Sequence, residues 1–185
     1  MESNQMLQES DQEGAAVNQQ YLTFIMADEE YGVDILSVQE IRGWEESTAI
    51  PNAPDYVKVV INLRGTIVPI VDLRLRFGLE ALAYGPVTVV IVLKVQVKGN
   101  EKVMGIVVDA VSDVYNINNA ELQPAPDLGE SINTGFIRGL VNVEEKMVIL
   151  LELQKVLDLE LDADLSNLES VKALAVSEDS EAVSV

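Results

Sequence analysis

Ile61-Asn62-Leu63-Arg64-Gly65-Thr66-Ile67-Val68-Pro69-Ile70-Val71-Asp72-Leu73 folds back on itself: two β-branched runs flank Asn62-Leu63-Arg64-Gly65, and Asp72 closes the second run. Branched side chains suit the pleated, half-buried surface of a strand, while Asn and Gly accept turn conformations, so the segment reads as a hairpin. A shift of 80 lays Ile61-Asn62-Leu63 on Val141-Asn142-Val143 and Ile67–Leu73 on Met147-Val148-Ile149-Leu150-Leu151-Glu152-Leu153. A shift of 73 lays Tyr31-Gly32-Val33-Asp34-Ile35-Leu36-Ser37-Val38-Gln39-Glu40-Ile41 on Met104-Gly105-Ile106-Val107-Val108-Asp109-Ala110-Val111-Ser112-Asp113-Val114, and Pro51 on Pro124. Gly, Pro, Asn, apolar and acidic positions coincide in order. The chain therefore reads as two copies of one small unit, roughly 21–80 and 87–159.

Short strand-like segments fill each copy: Tyr21–Met26, Tyr31–Ile35, Val57–Leu63 and Thr66–Val71 in the first, Val87–Val97, Val103–Val108, Gly139–Val143 and Met147–Leu151 in the second. Lys98-Gly99-Asn100 and Asn142-Val143-Glu144-Glu145 are further hairpin connections, and Leu73–Phe77 ending at Gly78 reads as one helical turn with a Gly stop. Units of this size with four or five short strands close into small barrels or sandwiches, so the expected class is all-β. Past Asp158, the spacing of Leu161, Leu165, Leu168 and Leu174 predicts a short C-terminal helix.

Composition narrows the chemistry. The 185 residues include no Cys and no His, which excludes disulfides, Cys-ligated metals, Ser-His-Asp and Cys-His catalysis, and the commonest metal ligand. A reducing compartment permits such a chain, and Met1-Glu2-Ser3-Asn4-Gln5 lacks the basic and apolar regions of a signal peptide, so a cytoplasmic location is expected. The apolar stretch Val87–Val97, interrupted by Lys94 and Gln96, falls short of the roughly 20 residues a membrane helix needs. Net charge is −19, against phosphate-backbone binding and hence against nucleic acid. Residues 1–20 and 158–185 carry −11 of it, as solvating acidic tails do.

Asp72 and Glu152 occupy equivalent places, and a carboxylate pair could run a hydrolase by general acid/base work. Each also follows a strand and opens an apolar segment, where a helix N-cap belongs, and that is the expected role. Asn133-Thr134-Gly135 resembles the aspartic protease triplet but has Asn for the activating Asp and no counterpart in the other copy. Asp158, Glu160, Asp162, Asp164 and Glu169 have calcium-loop spacing, yet Ala163 stands where the sharp turn needs Gly. No phosphate loop or dinucleotide fingerprint occurs, so no cofactor is expected. Arg64, in a turn between two apolar strands, reads either as a solvated loop residue or as an interface anchor with Glu40 for a partner.

Glu29-Glu30-Tyr31-Gly32-Val33-Asp34-Ile35, Val38-Gln39-Glu40-Ile41-Arg42-Gly43 and Val60–Arg74 closely resemble the CheW family of bacterial chemotaxis coupling proteins. The likeness continues through Gly105–Asp109, Pro124-Ala125-Pro126 and Met147–Leu150, covering about residues 20–160. The resemblance implies two SH3-like five-stranded β-barrels packed around a shared core. Its expected limits are an acidic tail at 1–19, barrel one at about 20–85, barrel two at about 86–140 with 140–159 completing the fold, and a helix and acidic tail at 160–185. It implies an adaptor, not an enzyme, that bridges the cytoplasmic tips of chemoreceptors to the histidine kinase CheA in arrays at the inner membrane. The kinase's regulatory domain and CheV share the fold, but nothing here encodes a kinase or receiver domain. Glu40 and Arg64 fall on positions implicated in receptor coupling, with Ile35, Val38 and Val89 as apolar contacts for a receptor helix lying in a groove between the barrels. Val111, Val114, Asp127 and Leu128 are placed at the kinase contact. Lys58-Val59 departs from a family Gly; a positive φ there would strain Val59, so Val59→Gly is expected to be tolerated or to strengthen receptor coupling.

Overall fold

The computed structural model describes residues 17–45, 48–49, 51–53, 55–127 and 134–158. The expected tails, the Leu161–Leu174 helix, Asn133, Leu128 and most of the calcium-like spacing lie outside the described residues. Eleven strands are described: β1 Asn18–Met26, β2 Glu29–Asp34, β3 Val38–Gly43, β4 Thr48–Ala49, β5 Val57–Leu63, β6 Thr66–Asp72, β7 Val89–Val97, β8 Asn100–Val108, β9 Ala110–Asn118, β10 Ile137–Val143 and β11 Lys146–Leu151. Two short helices, α1 Leu73–Arg76 and α2 Leu153–Asp158, follow β6 and β11. The all-β class expected from the β-branched runs is what forms, and no helix among the described residues is long and apolar enough to cross a membrane.

The hairpins turn as their residues dictate. Arg64 and Gly65, Lys98 and Gly99, and Glu144 and Glu145 all adopt positive φ, the backbone hand that matches the twist of paired strands. Asn62 fixes the first of these turns by accepting a hydrogen bond from the Gly65 N–H at 2.8 Å. Gly78, at φ 72°, ends α1, with the Gly78 N–H donating to the Leu75 carbonyl and the Leu79 N–H to that of Arg74.

One sheet runs β10-β11-β2-β1-β9 and the other β3-β7-β8-β6-β5-β4. The two copies are therefore interleaved. The first copy's hairpin β1–β2 joins the second copy's β9, β10 and β11, while the second copy's hairpin β7–β8 joins β3, β5 and β6 of the first. Parallel pairs stitch each exchange: Leu150 faces Gly32, and Ile70 faces Gly105. The division at about residue 85 thus does not describe the barrels, one of which takes residues 18–34 with 110–151 and the other 38–108. A repeat in sequence shows where the unit recurs but not which copy donates the neighbouring strand.

Val59, Val68, Ile70, Val90, Val92 and Val107 fill the β3–β8 barrel, and Tyr21, Ile117, Val141, Val148 and Leu150 fill the other. A larger shared cluster joins them, from Phe24, Met26 and Val33 through Ile91, Leu93 and Ile106 to Leu153, Val156 and Leu157. Two expectations need correction. Val59 lies within β5 at 7 % exposure, outside the positive-φ residues, so it is a core side chain rather than a strained turn residue. The strands β3 and β9 escaped the reading of short segments because both are edge strands whose apolar runs are interrupted by polar residues, Gln39, Glu40 and Arg42 in β3 and Ser112, Asp113 and Asn116 in β9, and each pairing is broken by a register shift, between Val38 and Glu40 and between Leu22 and Phe24 on the partner of β9.

Candidate functional site

Hairpin β5–β6 carries Arg64 at its tip, and β3 brings Glu40 beneath it. The Arg64 guanidinium stands 3.7 Å from the Glu40 carboxylate, and its side chain is 85 % exposed. Arg42, two residues along β3, approaches the same carboxylate at 3.6 Å and Glu45 at 3.4 Å. Glu40 is thus held between two guanidinium groups on one edge of the sheet. Because these pairs are open to solvent, they contribute little to folding and remain available to a partner.

The surroundings are apolar. Ile35, Val38 and Val89 are half-buried against the shared cluster, so their outer surfaces border the seam between the barrels. Ile41, between Glu40 and Arg42, points outward at 47 % exposure, and Leu36 stands out at 87 %. Leu36 sits on a single 3₁₀ turn, Ile35–Ser37, and its N–H donates to the capping Asp34 side chain at 2.9 Å. An exposed Leu held on a capped turn beside an ion pair was not read from the sequence; its signal was an apolar residue placed between two strands of different sheets. At the far end of β3, the rings of Trp44 and Tyr84 meet at a 37° tilt with centroids 4.2 Å apart and pack against the core of the β3–β8 barrel.

The residues assigned to the kinase are more scattered. Val111 is partly buried against the shared cluster, and Val114 is exposed on β9. Asp127 is exposed beyond a second 3₁₀ turn, Asn119–Glu121. The 73-residue shift makes Val111 the counterpart of Val38, and Val114 that of Ile41, so the two expected contact sets occupy equivalent edges of the two barrels.

Asp72 is buried and caps α1, accepting from the Arg74 and Leu75 N–H groups. It also accepts the Tyr84 hydroxyl, whose ionisation is pushed far up by burial and by this carboxylate. Glu152 precedes α2, and its carbonyl accepts from Lys155 and Val156. Among the described residues no group of carboxylates could hold a metal ion. These are the contacts of a helix start.

A CheW-like domain matches residues 20–161, most of the chain and nearly all of the described fold. The chain belongs to the CheW family. The chemotaxis protein CheW of Klebsiella aerogenes is 46 % identical over 147 residues, covering 80 % of this chain and 86 % of that one. The chemotaxis protein CheW of Rhizobium meliloti is 41 % identical over 135 residues, covering 73 % and 84 %. The crystal structure of the scaffolding protein TtCheW from Thermoanaerobacter tengcongensis superposes with a TM-score of 0.68 at 30 % identity, covering 78 % of this chain and 95 % of that one. This CheW-family chain is accordingly a chemotaxis scaffolding protein and not an enzyme. The hydrolase alternative falls with that assignment and with the capping role of Asp72.

Proposed function

We propose that this chain couples the cytoplasmic tips of chemoreceptors to the histidine kinase CheA, working in the cytoplasm within arrays at the inner membrane. The observation that carries the reading is the exposed Arg64–Glu40 pair set beside Leu36, Ile41 and the half-buried Ile35, Val38 and Val89. An ion pair flanked by apolar surface suits an amphipathic receptor helix, which supplies apolar anchors at helical spacing and polar groups at their rim. The kinase's regulatory domain then engages the opposite barrel around Val111 and Val114, with Asp127 as a further contact. Two partners on equivalent edges of two interleaved barrels make one small protein a bridge.

Arg64→Glu tests the assignment. An exposed pair contributes less than about 1 kcal/mol to folding, whereas a reversed charge at an interface costs several. The melting temperature is expected to stay nearly unchanged, binding of a receptor cytoplasmic fragment to fall clearly, and CheA binding to remain near normal. Unaltered receptor binding would return Arg64 to the role of a solvated turn residue.

A further inference from the structure

The two copies of the repeat are joined by residues 77–88, which run from α1 to β7 without forming a strand or helix. Gly78 enters the segment at a φ of 72°, and a turn in which the Thr88 N–H donates to the Gly85 carbonyl at 3.1 Å closes it. The segment passes as a strap between Trp44, after β3, and Asp72, at the end of β6, and leaves Leu82 and Val87 exposed. A cleft lined by Asp72, Arg74, Leu82, Tyr84, Val108 and Asp109 lies beneath it, so the strap does not pack flat on the sheet.

Tyr84 fastens the strap at its middle. Its hydroxyl donates to Asp72 Oδ2, and its ring meets that of Trp44 at 4.2 Å between centroids. Each contact leads to a different edge of the molecule. Trp44 directly follows Gly43, the last residue of β3, and its N–H donates to the Thr88 carbonyl at 3.0 Å. Asp72 leads the other way: its Oδ1 accepts the Arg74 N–H at 3.0 Å, and the Arg74 guanidinium holds both Asp109 oxygens and the Glu80 carbonyl of the strap. Asp109 directly precedes Ala110, the first residue of β9. One tyrosine therefore stands between the strand that carries Glu40 and the strand that carries Val111 and Val114.

We propose that Tyr84 is a latch coupling these two edges: a receptor helix that displaces the end of β3 parts Trp44 from Tyr84, frees the strap from Asp72 and loosens the Arg74–Asp109 tie at the start of β9. This rests on the receptor and kinase assignments above and adds how one contact changes the other. Coupling between sites needs an element with two arrangements, and the strap supplies it. A single hydroxyl bond and one ring pair are weak beside core packing, water replaces the hydroxyl at Asp72 when the strap lifts, and Gly78 absorbs the change in backbone direction. Both partners then favour the released strap, so each strengthens the binding of the other by the same factor.

Trp44 is the one tryptophan of the chain, so the full chain grown with 5-fluorotryptophan gives a single ¹⁹F signal beside the latch. Adding the kinase's regulatory domain alone, whose assigned contacts lie on the opposite barrel, is expected to shift that signal. Saturating receptor cytoplasmic fragment is expected to strengthen binding of the regulatory domain about fivefold, and hydrogen exchange of amides 79–84 in the parent chain to quicken when both are bound. Tyr84→Phe keeps the ring and removes the bond to Asp72; it is expected to bind each partner alone up to about fivefold more tightly and to show a mutual effect below about twofold. Leu82→Ser, exposed on the same strap, is expected to behave as the parent. A ¹⁹F signal and exchange rates unmoved while both partners bind the parent, or a mutual effect undiminished in Tyr84→Phe, would overturn the latch. The parent measurements decide the matter even where Tyr84→Phe does not fold. Failure of either partner to bind the parent would instead overturn the functional reading, and the latch with it.

Discussion

Arg74 and Asp109 hold the point where the chain crosses from one sheet to the other. The Arg74 Nε and Nη2 donate to the two Asp109 oxygens at 2.9 and 2.6 Å, and Asp109 Oδ2 also accepts the Ala27 N–H at 2.9 Å. Arg74 belongs to the first copy's helix, Ala27 to its exchanged hairpin, and Asp109 to the junction of β8 and β9, so one carboxylate ties three elements. Arg74 and the Ala27 N–H lower the Asp109 ionisation, opposed by partial burial. A lowered folded value means stability that is fully present above the unfolded value, about 3.9, and lost as pH falls through the folded one. Asp109→Asn is expected to cost about 2 kcal/mol at neutral pH, with the difference from the parent shrinking below about pH 4. Denaturant midpoints across that range provide the measurement.

Close approach between exchanged strands explains the glycines that marked the repeat. A Cβ on Gly32 would lie 2.7 Å from the Leu150 side chain, and one on Gly105 would crowd Ile70 and, at 3.0 Å, Val90. Both sites are parallel junctions where a hairpin of one copy meets a strand of the other. Gly32→Ala and Gly105→Ala are each expected to destabilise by about 1–3 kcal/mol through overpacking, measurable by chemical denaturation. Val59→Gly, in β5, is expected to lose a similar amount through lost burial and added chain entropy, and a thermal melt with unchanged receptor affinity would confirm that its role is packing. The cap on α1 adds one more: Asp72→Ala removes two N–H partners and leaves the Tyr84 hydroxyl unpaired, a cost of about 2 kcal/mol expected in the same melts.

At the scale of the molecule, interleaving makes the two barrels inseparable. Each takes a hairpin from the other copy, and the shared cluster draws on β1, β2, β6, β7, β8, β11, α1 and α2 together. A fragment ending at Gly85 keeps β1–β2 but loses the β9–β11 strands it pairs with, and keeps β5–β6 but loses β7–β8. Expressed alone, residues 1–85 and 86–185 are each expected to lack dispersed amide spectra. Mixed, they are expected to regain them, because all inter-copy hydrogen bonds can then form. Two independently folded fragments would contradict the exchanged arrangement.

What was legible in the sequence was local or periodic: the hairpin turns from Asn, Gly and flanking β-branched runs, the helical turn stopped at Gly78, the duplication, the cap at Asp72, and the Arg64–Glu40 pair. Turn chemistry and binary pattern act over a few residues, so they survive without tertiary context. The partner of each exchanged hairpin did not show, because β1–β2 and β7–β8 carry equivalent patterns and either copy's strands satisfy their hydrogen bonds. Only packing chooses between these pairings, by the fit of Gly32 against Leu150 and of Gly105 against Ile70. The same holds for Glu30, an ordinary acid in an acidic chain until the fold buries one of its oxygens where no donor reaches it.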